Sequence, residues 1–491
     1  MSKSDIISIY DKSSKIALLE STFAARQKSQ MTGLVGSSLS FVAHSLFKKS
    51  ELPFLILFSN KEEAAYYLND LEQLINTEDV LFYPSSYRRP YQIEETDNAN
   101  VLLRAEVLNR INSRKKPAII VSYAEAIFEK VVTRKELEKN TLKLSVGDNL
   151  SIDFINETLF EYNFKRVDFV TEPGEFSVRG GIIDVFSFSN DNPYRIEFFG
   201  NEVDSIRSFD VETQLSVEKL KKISIIPNVE NKLLQENRES FLDYINEKTV
   251  LVIQNTELLG QQLDKLFDKA NEAFEKLSKD IQHAPPEELF LNQKQFLKRA
   301  LDFSVIELHA NAVFKIDKKV EFHLQPQPSF NKQFDLLLNN LSENHFNGYK
   351  NYLCCSNENQ ASRFHDIFED IDEANHESIR KQYKTMVLPL FEGFIDEENQ
   401  IACYTDHQIF ERYHKFSIKN GYSKKQTITL KELTSLSVGD YVTHIDHGIG
   451  KFGGLQKIQV EGKTQEAIKL VYADNDIVYV SIHSLHKISK Y

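Results

Sequence analysis

The chain has 491 residues, and at roughly 100 to 200 residues per domain this length predicts three to five domains. Its 59 basic and 72 acidic residues give a formal net charge of −13, and 41% of the residues are hydrophobic, which is typical of a folded globular chain and excludes disorder as the main state. Because phosphate repels a net acidic chain at long range, a stand-alone DNA-binding protein is disfavoured.

Cysteine usage and hydropathy set two further limits. The three cysteines lack the spacing of a metal site and are odd in number, so we expect neither structural zinc nor a disulfide framework. Every apolar run is far shorter than the about 18 residues of a membrane span. We therefore expect a cytoplasmic protein with no membrane partner and no metal.

Five segments share one pattern, a short apolar strand followed by a polar residue and an amphipathic helix. They begin at Pro53, Pro117, Thr249, Asn351 and Ile401. Such repeated strand–helix units predict parallel sheets. At two of the helix starts, Ser122 with Glu125 and Thr405 with Gln408 fit the spacing of a capping box.

Two stretches with a different residue pattern interrupt this series of strand–helix units. Residues 142–228 alternate apolar and polar positions, and Gly200-Asn201 between two such runs predicts a hairpin with a type II′ turn. Residues 438–491 are glycine-rich with short β-branched runs, which predicts a small β-barrel. A polar, lysine-rich linker precedes them.

The predicted fold class is therefore multidomain α/β: parallel-sheet, helicase-like domains with a β-rich insert, followed by a small C-terminal β-barrel. The predicted domains are a degenerate P-loop-type α/β domain (1–140), a β-rich domain (141–229), the second part of the first α/β module (230–322), a further α/β domain (323–420), a linker (421–435) and the barrel (436–491).

Residues 33–40 have the outline of a phosphate-binding loop that opens a helix. Gly33 and Gly36 suit such a loop, and Ser40 occupies the position of a magnesium ligand. The glycine and lysine that contact the β- and γ-phosphates are replaced by Ser38 and Leu39. We expect no tight ATP binding, whether this is a nucleotide fold that lost its nucleotide or a Gly/Ser loop that caps a helix.

The sequence Asp-Glu-Ala-Asn at 372–375 is similar to the acidic box of an ATPase. That box must end a buried strand. Here Phe364, Ile367, Phe368 and Ile371 recur with helical spacing just before it and place it at the end of an amphipathic helix. We therefore assign no catalytic role to these residues.

The segment 171–210 contains a strand with one apolar and one charged face. Period-two geometry places Arg195, Glu197 and Phe199 on one face and Ile196 and Phe198 on the other. Arginine beside an exposed aromatic is typical of a protein-binding hot spot. A solvated sheet face with ordinary ion pairs is the alternative that composition alone leaves open.

The signatures GEFxxRGxxxD and RxEFF in this segment resemble the UvrA-binding domain shared by the excision-repair protein UvrB and the transcription-repair coupling factors. The resemblance implies that Arg179, Arg195 and Phe199 bind UvrA. The flanking α/β blocks resemble the UvrB-like module of the coupling factors and differ from UvrB itself, which retains a working phosphate loop.

The glycine-rich stretch from Val438 resembles the RNA polymerase-interacting domain of the same family, which is related to CarD and has a Tudor-like barrel. His444 and His447 have the spacing of two metal ligands, but a third at fixed spacing is lacking, and such a pair in a glycine-rich turn is more often part of an ordinary turn.

A strand edge after Gly450 is the predicted contact with the polymerase β subunit, through Lys451, Phe452 and Ile458. The resemblance implies an apolar contact residue here, and Ile458 fits it. The alternative is that Ile458 fills the core. The glycine pair at 453–454 can bend or bulge this strand.

The family resemblance implies that this chain is the non-motor N-terminal half of a longer protein, an adaptor between RNA polymerase and UvrA in transcription-coupled nucleotide excision repair. The motor, an ATP-dependent DNA translocase that uses ATP and Mg²⁺, would follow and make the main DNA contacts. No cofactor and no catalytic residue are expected in this half. The alternatives are a nucleotide-dependent helicase or UvrB-type enzyme, tested by nucleotide binding, and a CarD-like transcription regulator, tested by UvrA binding.

Overall fold

The fold is given by a computed structural model, and the chain divides into two compact units, residues 1–137 with 233–419 and residues 138–232 with 420–491. The structure describes residues 3–86, 91, 98–113, 116–188, 190, 192–211, 213–227, 237–277, 284–371, 376–412, 438–444, 447–460, 463–472, 476–481 and 488–490.

The strands of the described part, in chain order, are β1 (Lys28–Thr32), β2 (Phe54–Phe58), β3 (Val80–Tyr83), β4 (Ile119–Tyr123), β5 (Val131–Val132), β6 (Leu142–Ser145), β7 (Lys165–Arg166), β8 (Glu175–Arg179), β9 (Ile182–Val185), β10 (Tyr194–Phe199), β11 (Glu202–Phe209), β12 (Ser216–Leu220), β13 (Lys222–Ile225), β14 (Arg238–Glu239), β15 (Val250–Ile253), β16 (Ser304–Glu307), β17 (Lys318–Glu321), β18 (Leu324–Pro326), β19 (Lys350–Cys355), β20 (Tyr383–Val387), β21 (Phe394–Asp396), β22 (Ile401–Thr405), β23 (Tyr441–His444), β24 (Gly448–Val460), β25 (Lys463–Val471), β26 (Ile477–Ser481) and β27 (Ile488–Lys490).

The α-helices of the described part are α1 (Ser4–Asp11), α2 (Ser14–Glu20), α3 (Ser38–Ser50), α4 (Lys61–Leu74), α5 (Asn98–Ser113), α6 (Ala124–Phe128), α7 (Arg134–Lys139), α8 (Ile152–Glu161), α9 (Phe241–Tyr244), α10 (Thr256–Glu275), α11 (Pro286–Leu289), α12 (Gln293–Ala300), α13 (Phe334–Phe346), α14 (Glu358–Ile371), α15 (His376–Arg380) and α16 (Asp406–Ile409). None of them combines the length and apolar character that crossing a bilayer requires.

The first unit is built on a seven-stranded parallel sheet in the order β17-β1-β16-β15-β2-β4-β3. Its strands come from both sides of the β-rich insert in the sequence. Strands β2 and β4 are buried along their whole length, as expected for a parallel sheet covered on both faces. The predicted parallel sheet is confirmed.

A second sheet in the same unit has the order β18-β21-β22-β19-β20. Neighbouring strands β22, β19 and β20 are parallel, and β21 is antiparallel to both of its neighbours, β18 and β22. The three free cysteines, Cys354, Cys355 and Cys403, are all buried in this sheet. The helices α13 and α14 pack Leu337, Leu341 and other apolar side chains against it.

The insert in the second unit forms a six-stranded sheet in the order β12-β11-β10-β9-β8-β7. All neighbours are antiparallel except β7 and β8. The predicted hairpin joins β10 to β11, and Gly200 has a φ of +63°, as the first central residue of a type II′ turn requires.

The C-terminal strands form an antiparallel sheet in the order β26-β25-β24-β23-β27. The described strands β26 and β27 lie at its two edges, so the predicted barrel is not confirmed. The register between β24 and β25 shifts between Phe452 and Leu455. The glycine pair thus forms the predicted bulge.

Both predicted capping boxes are wrong. Ser122 lies inside β4, where its hydroxyl donates to the Tyr83 carbonyl oxygen at 2.7 Å, and α6 begins two residues later without a side-chain cap. Thr405 does precede α16, but its hydroxyl donates to the Gln408 side chain at 2.7 Å and caps no backbone amide. In both cases an alternative acceptor competes for the hydroxyl.

Candidate functional site: a partner-binding surface and a degenerate phosphate loop

The charged face of the insert sheet is a continuous row of polar residues across four strands. Ser177 on β8 lies opposite Asp184 on β9, which lies opposite Arg195 on β10, which in turn lies opposite Arg207 on β11. Because side chains directly opposite each other share a face, all four belong to one surface. At the alternate positions Ile196 is fully buried and Phe198 is half-buried, in line with the predicted division of the faces.

Asp184 is the centre of this surface. Its side chain is 1% exposed and accepts two hydrogen bonds from Arg195, from Nε at 2.7 Å and from a terminal nitrogen at 2.9 Å. The same carboxylate accepts a hydrogen bond from Arg179. The hydrogen bond to Asp184 raises the pKa of the Arg195 guanidinium, although partial burial opposes this. One buried anion thus holds two cations in place.

Both arginines also lie over aromatic rings. The Arg195 guanidinium carbon is 4.5 Å from the ring centroid of Phe209, which is fully buried. The Arg179 guanidinium carbon is 5.3 Å from the ring centroid of Phe169, which is 44% exposed. These cation–π contacts restrict both guanidinium groups further and add an aromatic side chain, Phe169, to the exposed surface.

Phe199 ends β10 and is 84% exposed. The next residue back, Phe198, donates its backbone N–H to the carbonyl oxygen of Gly181 at 2.8 Å, which holds this end of β10 beside the turn that follows Arg179. We call Phe169, Arg179, Arg195 and Phe199 the arginine patch. The structure therefore brings the three predicted residues onto one surface of the insert.

Sequence reasoning missed two members of this surface. Asp184 is the final residue of the GEFxxRGxxxD signature, so its position in the motif was a usable signal. Phe169 precedes the signature in an irregular segment, and only the fold shows that it lies under Arg179.

The degenerate phosphate loop has the predicted placement, between β1 and α3. Gly33 and Gly36 have φ angles of +79° and +51°. The Ser38 hydroxyl donates to the Val35 carbonyl oxygen at 2.6 Å and closes the loop on itself. Leu39 and Ser40 are both buried in the first turn of α3.

A segment of the second sheet's domain occupies this loop. The Ser37 backbone N–H donates to the carbonyl oxygen of Glu392 at 3.0 Å. The Glu392 N–H donates in return to the Ser37 hydroxyl oxygen at 3.0 Å. The amide that would face a phosphate at the start of a helix is therefore bonded to another part of the chain.

The acidic sequence at 372–375 lies outside the described residues. The helix before it, α14, has the predicted amphipathic pattern, with Phe364 and Phe368 buried and Ile367 packed beside them. Ile371, at the end of α14, is 41% exposed and is not part of that core.

The predicted polymerase-binding residues lie on β24. The Lys451 ammonium group is 5.3 Å above the ring centroid of Tyr441, and both side chains are exposed. Phe452 is only 5% exposed and packs in the core of the C-terminal sheet, so its side chain is not presented to a partner. Ile458 pairs with Gln465, but its side chain lies outside the described part of the chain.

The strand itself has an open edge. Gly450 lies inside β24 and not in a turn before it, and β24 pairs with β23 over residues 448–451. On its other side β24 pairs with β25 from 451 to 460. The residues before β23 continue along this edge as far as the glycine pair, since the Phe452 N–H donates to the Asp440 carbonyl oxygen and Val438 lies 3.5 Å from the position of a Cβ atom on Gly454. Among the described strands, none pairs with this edge over residues 455–460, and an unpaired edge can accept an added strand.

His444 and His447 lie together, with ring centroids 4.7 Å apart. His444 is buried on β23. Within the described ranges, no three His, Cys, Asp or Glu side chains are arranged to hold a metal ion.

Two parts of the chain match known domain families. Residues 142–230 match the UvrB interaction domain, and residues 436–491 match the CarD-like/TRCF RID domain. The arginine patch lies in the first match and the open edge of β24 in the second. The chain thus combines a UvrB-type interaction domain with a CarD-type domain on an α/β framework.

Relatives that match most of the chain are named transcription-repair-coupling factor. They include proteins of Bacillus subtilis (24% identity over 532 residues, 94% of the chain and 45% of the relative), Haemophilus influenzae (24% over 480 residues, 85% and 41%) and Staphylococcus epidermidis (22% over 566 residues, 100% and 47%). The chain therefore spans about half the length of the curated relatives it matches. These matches confirm the resemblance to the N-terminal half of a transcription-repair-coupling factor.

Proposed function

We propose that this chain is the non-motor, adaptor half of a transcription-repair-coupling factor, which binds stalled RNA polymerase through its β subunit and recruits UvrA. The two domain matches and the names of the relatives support this role in general terms. The full-length protein would be an ATP-dependent translocase on double-stranded DNA, with ATP and Mg²⁺ bound in its motor. This half would carry no catalytic site of its own.

The arginine patch is the observation that carries the proposal. An exposed phenylalanine beside two oriented arginines has the composition of a protein-binding hot spot. The buried Asp184 neutralises one of the two positive charges, so Arg179 and Arg195 together retain a net charge of about +1 at their exposed edge. A partner with carboxylates around an apolar pocket would complement this surface.

The open edge of β24 supports the polymerase contact. An added strand gains affinity from backbone hydrogen bonds and register from outward side chains. Residues 455–460 offer such an edge, and the bulge at the glycine pair separates it from the part of β24 that β23 and the residues before it cover. We place the polymerase β subunit at this edge, with Lys451 beside it.

Binding of the whole chain to purified UvrA tests the proposal. Replacing Arg179, Arg195 and Phe199 together by alanine should abolish measurable binding while the variant still unfolds in one cooperative transition, at a lower temperature because the buried Asp184 loses both cations. Arg26→Ala is the matched control, since Arg26 is an exposed, ion-paired arginine of the other unit. Unchanged UvrA affinity in the triple variant would refute the assignment of the patch.

A CarD-like regulator is the alternative that this experiment addresses directly. A chain that binds polymerase but not UvrA, at any concentration tested, would favour that alternative. A chain that binds Mg-ATP with micromolar affinity would favour the enzyme alternative.

A further inference from the structure

The degenerate phosphate loop is occupied by a backbone segment from another part of the same chain. We propose that residues 33–40 form a docking socket for Phe391–Gly393 of the second sheet's domain, and that occupation by this segment excludes nucleotides even if a lysine is restored. The adaptor role assigns no task to this loop, so the inference stands independently of it.

The first support is the pair of hydrogen bonds between Ser37 and Glu392. The Ser37 amide donates to a carbonyl oxygen, and the Ser37 hydroxyl accepts from an amide, each at 3.0 Å. In a nucleotide site the amides at a helix start donate to phosphate oxygens. Here a neutral peptide group takes the place of the anion and satisfies both polar groups of Ser37.

The second support is the close approach of two backbones. A Cβ atom on Gly36 would lie 2.7 Å from the carbonyl oxygen of Gly393. A Cβ atom on Gly393 would lie 2.5 Å from the carbonyl oxygen of Cys403. Because real Cβ atoms do not approach oxygen this closely, the contact between loop and segment requires glycine at position 36, whereas position 393 requires glycine for its packing against its own sheet. The lack of a side chain at Gly36 therefore lets the docked segment approach the loop closely, as a loop glycine lets phosphate approach in a nucleotide site.

The third support comes from α4, which lines the socket. The fully buried Asp70 accepts a hydrogen bond from the Phe391 N–H at 2.8 Å. The Tyr66 ring stacks on Phe391 with centroids 3.9 Å apart. The Tyr67 hydroxyl donates to the Gly36 carbonyl oxygen at 3.2 Å. Loop, helix and docked segment thus form one hydrogen-bonded and packed assembly.

The charges of the socket also oppose a polyphosphate. Burial raises the pKa of Asp70 to about 7 and raises the pKa of Glu392, so the low-dielectric socket already disfavours negative charge on its own carboxyl groups. A nucleotide would bring several further negative charges beside them. Restoring one lysine would leave this repulsion and the docked backbone in place.

Hydrogen exchange of the intact chain tests the docking. Ser37→Ala removes the acceptor of the Glu392 amide, and Gly36→Ala introduces the clash with Gly393. In either variant we expect the Phe391 and Glu392 amides to exchange roughly tenfold faster or more, the change expected from loss of one hydrogen bond. Unchanged exchange of both amides in both variants would overturn the proposal.

Gly200→Ala is the control for backbone strain. Gly200 has a similar φ of +63°, but nothing lies within 4 Å of the position of its Cβ atom. The substitution therefore reproduces the left-handed strain of Gly36→Ala without the clash. Exchange of the Phe391 and Glu392 amides should match that of the unmodified chain.

Nucleotide exclusion is tested by two measurements. Titration of Mg-ATP into Leu39→Lys should give no binding heat, and micromolar binding by this variant would overturn exclusion by occupation. In the unmodified chain, which carries no folding risk, millimolar Mg-ATP should leave exchange of the Ser37 and Glu392 amides unchanged. A change at those amides would mean that nucleotide enters the socket, contrary to the proposal.

Discussion

Arg195 and Asp184 face each other across β9 and β10 and are joined by two hydrogen bonds, at 2.7 and 2.9 Å. This geometry fixes the plane of the guanidinium as well as its position. Since Asp184 is almost fully buried and Arg195 only partly so, the carboxylate is the fixed member of the pair. Asp184 is therefore a positioning residue, which orients Arg195 and Arg179 before any partner arrives.

Asp184→Asn should weaken UvrA binding about tenfold or more, because the amide retains the size of the carboxyl group but loses the charge that orients both arginines. The measurement is UvrA affinity at two salt concentrations, with melting as the folding check. Asp204→Asn removes a charge from an exposed position of β11 and is the control, with unchanged affinity expected. Full affinity in Asp184→Asn would show that the arginines need no positioning.

Phe169→Ala and Phe199→Ala should each lower UvrA affinity, by about 2 kcal/mol if each is a true hot spot. Phe199 is 84% exposed and Phe169 is 44% exposed, so neither substitution should lower the melting temperature by more than a few degrees. Leu215→Ala is the control, because Leu215 is an apolar residue of the same insert that is 69% exposed. An equal loss in Leu215→Ala would mean that general apolar contact, and not the arginine patch, drives binding.

The local parts of this fold could be predicted from the sequence because they depend on short-range patterns. Apolar alternation was enough to place the two faces of β10, and Gly200 was enough to place its hairpin. The capping box at Ser122 failed for a tertiary reason, because its hydroxyl finds an acceptor on a neighbouring strand, whereas the Thr405 hydroxyl donates to the nearby Gln408 side chain. A capping box does form at Asn292 with Gln295, where the two side chains each bond the other residue's backbone N–H.

The candidate sites show the same limit. The three predicted residues of the arginine patch follow from a motif within 30 residues, whereas the occupant of the phosphate loop lies more than 350 residues away from it. Nothing in the sequence of residues 33–40 indicates that Glu392 contacts them. Contacts of such high sequence separation are set by how the two sheets pack, which periodicity does not report.

Arg104→Ala should strongly destabilise the first unit. Arg104 and Glu129 form an ion pair at 3.3 Å in which both side chains are buried, and Arg104 also donates to two backbone carbonyl oxygens. Removing one member of a buried pair costs about 3–5 kcal/mol because a buried charge remains. Arg26→Ala, at an exposed pair with Glu247, should cost at most about 1 kcal/mol. Chemical denaturation measures both, and equal effects would contradict the prediction.

Asp70 should make stability depend on pH. Its pKa is raised from 3.8 to about 7 in the folded chain, so between these values the folded state holds a proton that the unfolded state has lost. This group's contribution to stability is therefore present at low pH and falls as pH rises from about 4 to about 7. Asp70→Asn keeps an acceptor for the Phe391 amide and removes the ionisation.

The melting temperature of Asp70→Asn relative to the unmodified chain should therefore be higher at pH 8 than at pH 5. Asp204→Asn, at an exposed aspartate, should show the same difference from the unmodified chain at both pH values. If the Asp70→Asn difference is also independent of pH, Asp70 does not titrate in this range.

Ile458→Arg tests the polymerase contact on β24. Ile458 lies on β24 beyond the part that β23 covers. On that side of β24 none of the described strands pairs with it, and on the other side Ile458 pairs with Gln465 of β25. If Ile458 contacts the polymerase β subunit, arginine should abolish binding and leave the melting temperature unchanged, since the new charge remains in water. If Ile458 fills the core, the same variant should melt at a much lower temperature, because burial of an unpaired charge is costly.

Ile449→Arg, at an exposed position where β23 covers the strand, is the control and should bind normally. Normal melting together with normal polymerase binding in Ile458→Arg would place the contact elsewhere on the C-terminal sheet, and loss of binding in Ile449→Arg alone would move it to the face that carries Lys451.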